Sequence, residues 1–423
     1  MTVSHFDWRK FFVMCVCLIL IFLSLGLIFG FSVMYADLTN VFHLTRIKSA
    51  TIQGIYNLVA LGGGVLWTWP VKKIGYGLSL VAGALIGCIG FILSSLASNY
   101  ETIVVCTGII AGAGVSLGFL APFAIVGAIY KEPGFSLALV TVFGSVGQMV
   151  MPYVYEIFLT YYHWSGAFIL LAGISLQGIP CGLFIHYSHK LLDTSEKETA
   201  TSSNDVFGIE LLADYATWLY LIITLVTFAT VNFAPWFLVD QMVSIGYSQR
   251  FGAFLLLILG CANVIGRIIG SFLKLKLKQI PAIYNMFYVG PLLAIAHTLV
   301  IYLQIYGNWL IVACIVYGFG YGLLVAMLPV ITFELFGSDK FQKAFTLVCI
   351  VLGLATILGN FTGGTIRDVY GEYDPAYKIG IAVSLLITIG FIVLTIIQHR
   401  RQRESDSLLH HGNVKEIPYR SMD

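Results

Sequence analysis

The sequence predicts an all-α membrane protein whose twelve transmembrane helices fall into two six-helix halves. Three observations carry this: an extreme apolar composition, a regular series of spanning-length runs, and one central polar interruption. Of the 423 residues 58% are hydrophobic and only 10% charged, with a mean hydropathy of +0.90. Soluble globular domains do not have this composition.

A bilayer core is crossed by roughly 20 apolar residues in a helix. Such runs lie near 11–35, 51–71, 76–97, 102–130, 135–160 and 164–186, then 215–239, 251–273, 281–306, 308–333, 341–365 and 374–398. β-barrel strands would be shorter and would alternate in polarity. The first run is too long and too uniform for a cleaved signal peptide and no small-residue cleavage site follows it, so it reads as a permanent helix. The second ends at Lys72 and Lys73, and the eighth at Lys274, Lys276 and Lys278. The fourth carries GIIAGAGVSLGFLAP ending at Pro122, and the tenth carries YGFGYGLLVAMLP ending at Pro329. The halves thus resemble each other. Between them, 187–214 is rich in Ser, Thr, Glu and Lys and reads as a flexible linker. The expected division is an N-tail 1–10, a bundle 11–186, the linker 187–214, a bundle 215–398 and a C-tail 399–423. Two similar six-helix halves are the layout of carriers that alternate access around a central site.

Lys and Arg are distributed unevenly between alternate loops. One set, with both tails, holds seventeen: Arg9, Lys10, Lys72, Lys73, Lys131, Lys190, Lys197, Lys274, Lys276, Lys278, Lys340, Lys343, Arg400, Arg401, Arg403, Lys415 and Arg420. The other holds five: Arg46, Lys48, Arg250, Arg367 and Lys378. The positive-inside rule then places both termini in the cytoplasm. Many of the 43 glycines fall mid-span, where small residues let helices approach closely, whether for motion or for static packing.

Arg267 interrupts the eighth run, AFLLLILGCANVIGRIIGSFL, with Asn263 one turn earlier and no acid in the span. A charge in the membrane is costly and usually faces a polar pathway or a partner. A cation without a counter-ion points to an anion site; a guanidinium snorkelling towards Lys274 is the equally weighted alternative. Glu156 and His297 are titratable groups within spans, placed either to carry a coupling proton or, respectively, to reach external water and to bond a neighbouring carbonyl. Asn57, Gln148, Asn232 and Asn360 read as helix–helix hydrogen-bond glue, with Gln148 also a candidate pocket residue. The Asn-Phe-Thr sequon at Asn360 falls inside a span and is rejected as a glycosylation site.

All eight cysteines lie within runs, so neither a disulfide framework nor metal-type spacing is present. Phosphate loops, catalytic carboxylate pairs and nucleophile elbows are missing too. No enzyme, cofactor, metal or nucleic-acid partner is expected. On the tail, Glu404 with Leu408 and Leu409 fits an acidic dileucine sorting pattern, and Tyr419 opens a tyrosine-based one.

Four stretches give the chain a family resemblance: GSVG at 144–147 with HWSGAF at 163–168; FAPWFLVDQMVSIGYS; AFLLLILGCANVIGR; and LFGSDKFQKAFTLV followed by GTIRDVYGEYDPAY. Together they resemble the monocarboxylate transporters of the major facilitator superfamily over about 11–398. HWSGAF is similar to the family's GWRGAF, and the third stretch to its helix 8 Asp-x-x-x-Arg pattern. The resemblance implies the major facilitator fold and places Arg267 where the family binds a substrate carboxylate, which favours the pathway reading. A planar guanidinium suits that role. Asn263 stands at the family's Asp and Phe29 aligns with its helix 1 Lys, so proton coupling is expected to be weakened. The implied activity is secondary transport of a monocarboxylate or related small organic anion. Arg267, Asn263, Phe29 and Gln148 would line the site, with Glu156 or His297 as proton carriers, in the plasma membrane or an endosomal or lysosomal one. A single-span ancillary glycoprotein is the partner that the resemblance implies beside the lipid bilayer. The alternatives are a facilitative carrier of a neutral or zwitterionic solute, such as an amino acid or a creatine-like compound, and a non-transporting sensor or assembly subunit.

Overall fold

The computed structural model describes residues 8–44, 46–130, 133–188, 209–277 and 279–412. Most of the 187–214 linker and Tyr419 lie outside these residues; Glu404, Leu408 and Leu409 lie on the backbone of the last helix. Among the described residues every regular element is helical. Eight continuous apolar helical stretches are long enough to cross a membrane. Four breaks divide them into twelve: Gly75, His163, the 304–309 turn and Gly337.

The helices are α1 (Trp8–Val33), α2 (46–74), α3 (76–95), α4 (Tyr100–Ile129), α5 (134–162), α6 (164–187), α7 (Tyr215–Ser244), α8 (Gln249–Lys276), α9 (Met286–Leu303), α10 (310–336), α11 (338–370) and α12 (Asp374–Gly412). All twelve expected runs are occupied, most of them lengthened by a few polar residues at the ends. Local chemistry sets several boundaries. Asn99 accepts from Thr102 N at 2.9 Å and opens α4; Ser248 accepts from Phe251 N at 3.2 Å and opens α8. Such side-chain oxygens satisfy amides that the first turn leaves unpaired. Gly75 (φ 78°) and Gly337 (φ 71°) reverse the chain with backbone angles that side chains disfavour. His163 makes the equivalent break at φ 55° without being glycine.

Both described ends, 8 and 412, belong to one face of the bundle, here called the terminal face; turns at Gly75 and Gly337 share it. Within the N-half α1 packs on α4 and α5, and α3 on α6. The halves meet along two seams, α5 against α8 and α2 against α11. These seams are equivalent under an exchange of halves that turns α2 into α8 and α5 into α11. Outward-facing side chains are large and apolar, as with Ile86, Ile89 and Leu93 of α3 and Leu385, Leu386 and Ile389 of α12. A surface of that kind is stable against lipid rather than water.

Candidate functional site

The central site grows from the contact between α8 and α10. Gly318 and Gly322 of α10 lie directly against the Leu259 and Asn263 carbonyls of α8, leaving no room for a Cβ at either. This close approach fixes the height and rotation of α8, so that Asn263 and Arg267 turn inward while Leu257, Ile265 and Phe272 face outward. Arg267 is 1% exposed, which removes the snorkelling reading: the guanidinium points across the bundle, not along α8 to the lysines.

Its hydrogen bonds are all to neutral acceptors. Nε donates to Asn263 Oδ1 at 2.8 Å, Nη1 to the Thr141 carbonyl at 2.7 Å, and Nη2 to Gln148 Oε1 at 3.2 Å. Thr141 and Gln148 belong to α5, so two of the three bonds cross the seam between halves. Among the described residues no carboxylate pairs with Arg267. A guanidinium has five N–H donors, so three bonds leave two on the terminal nitrogens. A buried charge held by amides and a carbonyl keeps its full positive potential, whereas an acid would cancel it.

Prolines loosen the helices around this point. Pro152 has no N–H to give to the Gln148 carbonyl four residues back, and Pro235 none for Val231. At the second place α7 breaks at Asn232, and Tyr317 of α10 donates to the released Val231 carbonyl at 3.0 Å. Asn232 itself donates to Phe228 O at 2.7 Å and accepts from Tyr321 at 2.9 Å. Tyr321 precedes Gly322, which lies against Asn263 and the Arg267 backbone. A polar set therefore extends from the α7 break to the α5 seam. Of it, Arg267, Asn263 and Gln148 were candidates from sequence and Asn232 was read as glue; Tyr321 and the Thr141 carbonyl were not singled out. Tyr321 had one usable signal, its place within the glycine-rich YGFGYG.

The remaining candidates lie elsewhere. α1 runs beside α5 with Gly26 against Met151 and Gly30 against Tyr155. Half-buried Phe29 is consequently about 9 Å further towards the far face than Gln148, six residues at 1.5 Å each. Glu156 is exposed on α5, about 12 Å beyond Gln148 on the same scale. His297 is fully buried: Nδ1–H donates to Leu293 O at 2.7 Å, Nε2 is 3.1 Å from Tyr317 Oη, and the ring lies on Gly380. Its contacts join α9, α10 and α12. Asn57 does not act as hydrogen-bond glue through Oδ1, which is buried without a partner.

Towards the terminal face, α4 and α11 are zipped by phenylalanines: Phe119–Phe123 at 5.7 Å, Phe123–Phe345 at 4.7 Å, Phe341–Phe345 at 5.5 Å and Phe333–Phe341 at 5.4 Å between ring centres. On the far-face side of Arg267 both seams continue, with Met149 of α5 at 3.9 Å from Cys261 of α8 and Gly54 of α2 beside Ile357 of α11.

A profile described as the Major Facilitator Superfamily matches residues 14–360. The chain is 24% identical to human (Homo sapiens) monocarboxylate transporter 2 over 87% of this chain and 83% of that one. It is 22% identical to mouse (Mus musculus) monocarboxylate transporter 12, over 93% and 88%. Among solved structures, the proton:xylose symporter XylE bound to 6-bromo-6-deoxy-D-glucose superposes with a TM-score of 0.67 at 14% identity, covering 90% of this chain and 94% of that one. FucP in the outward conformation gives 0.66 at 15%, covering 90% and 98%. These relatives are transporters, not enzymes. The profile match and the twelve-helix, two-seam architecture agree: the chain is a multi-pass membrane protein that belongs to the major facilitator superfamily and is similar to its monocarboxylate transporters.

Proposed function

We propose that the protein carries a small monocarboxylate or related organic anion across a membrane, by rocking its two halves about the central site. The observation that carries this reading is Arg267: a buried cation, reached by no acid among the described residues, on the helix shared with relatives named for monocarboxylates. The guanidinium would hold the carboxylate bidentately, with Asn263 and Gln148 beside it. Phe29 makes the far-face approach more apolar. The charge distribution supports a cytoplasmic terminal face, and the plasma membrane is the favoured location. Proton coupling is weakened, because Asn263 and Phe29 do not titrate; Glu156 and His297 are the groups left to carry a proton.

Uptake of labelled acetate, pyruvate and lactate into proteoliposomes, with and without a pH gradient, tests the reading. Saturable uptake of at least one of them supports it. Uptake of amino acids or creatine but of no monocarboxylate would establish a neutral or zwitterionic carrier. No flux of any solute would favour a sensor or assembly subunit.

A further inference from the structure

Arg267 is more than a waiting cation, because its donors already hold the opposite half. Along α5, Thr141 lies on the terminal side of the guanidinium and Gln148 about 10 Å further towards the far face, seven residues at 1.5 Å each. Asn263 is also on the far-face side, one turn up α8. An anion approaching from the far face therefore meets Gln148 and Asn263 before it meets the guanidinium. Asn263 shares a helix with Arg267 and moves with it. Gln148 does not: its 3.2 Å bond spans the α5–α8 seam.

We propose that Gln148 is a positioning residue that acts as a displaceable stand-in for the substrate carboxylate. This rests on the reading of Arg267 as the anion anchor. In the substrate-free state the Gln148 amide oxygen occupies Nη2, caps the guanidinium against water and clasps α5 to α8. A carboxylate is the stronger acceptor, since charge-assisted bonds are about twice as strong as neutral ones. It takes the Nη2 donor, and the side chain of Gln148 is released from the seam. Binding is thereby traded for a bond between the halves, so the same event that secures the substrate loosens the clasp that keeps the terminal face shut. The local α5 backbone can accommodate this, because Pro152 leaves the Gln148 carbonyl without its intrahelical donor.

A neutral side chain is required. An alanine there would leave the clasp weak whether or not substrate is bound. A glutamate there would pair with Arg267 permanently and exclude the substrate.

The test uses the full chain with Cys261→Ala and spin labels on cysteines introduced at Lys72 and Ser338, exposed on the terminal face in opposite halves. The separation is measured without anion and with acetate, pyruvate or lactate, in the unmodified background, Gln148→Ala, Gln148→Glu and Arg267→Ala. The expected result has three parts. At least one anion lengthens the separation in the unmodified background. Gln148→Ala raises the long-distance population at least about fivefold without anion, in line with loss of one bond to a charged group. Gln148→Glu keeps the short distance under every condition and loses uptake. If anions act but both Gln148 variants match the unmodified protein within twofold, the stand-in role is overturned while the anchor reading survives. If Arg267→Ala responds to anions as the unmodified protein does, or no anion shifts the separation in the unmodified background, the anchor reading itself fails and the proposal with it.

Discussion

Asn263 Oδ1 accepts from Arg267 Nε at 2.8 Å, one turn apart on α8. The amide orients the guanidinium plane without discharging it. An aspartate at that position would supply the same geometry and an opposite charge as well. That difference organises the expectations below.

Replacing Arg267 by alanine should abolish anion uptake, at least a hundredfold, with surface delivery retained. Lysine should rescue poorly, because a point charge lacks the planar fork and cannot reach Asn263, Thr141 and Gln148 together. Initial rates of labelled uptake, normalised to surface protein, check this. Uptake near normal in the alanine variant would remove Arg267 from the pathway.

Asn263→Asp should lower uptake at least about tenfold at neutral pH. The new carboxylate would lie one turn from the guanidinium, pair with it in place of the neutral amide and compete with the substrate for Arg267. A variant as active as the unmodified protein at pH 7.5 would contradict this.

His163 adopts φ 55° and ψ 177°, a region essentially reserved for glycine. His163→Gly should raise the stability of the detergent-solubilised protein by about 1 kcal/mol, whereas His163→Ala should not, since alanine meets the same strain. Thermal unfolding of the three proteins side by side decides it; equal gains from both substitutions would point to the imidazole and not the backbone.

Phe345 bridges the ladder at 4.7 Å from Phe123, joining α11 to α4. Phe345→Ala should cost about 3–5 kcal/mol if the cavity stays empty. It should also shift the two halves apart at the terminal face, where Phe341 would lose its stacked partner. Cysteine accessibility on that face reads this out; Phe345→Leu should restore most of it.

An epitope inserted at residue 200 should be labelled only after permeabilisation of cells, as the Lys and Arg distribution requires. Labelling of intact cells would invert the orientation.

Much of the fold was legible in the sequence because lipid leaves few options. A backbone that cannot bond water must form full-length helices, so each run of about 20 apolar residues became a span. The charge isolated at Arg267 is likewise a local feature that a linear reading finds, whereas the Ser248 cap and the breaks at Gly75 and Gly337 are local features that the sequence analysis did not single out. The partners of that charge are not local. Thr141 lies 126 residues away and Gln148 119, and their arrival depends on which helices pair across the seams. Only the tertiary structure decided that the guanidinium faces α5 and not the lysines at the end of α8. It likewise decided that His297 is occupied by Leu293 and Tyr317, and that phenylalanines join α4 to α11 towards the terminal face. The reason is physical: helix formation is settled by each segment against its solvent, whereas seam contacts arise where glycines such as Gly62 and Gly353 let particular helices approach, which no single span encodes.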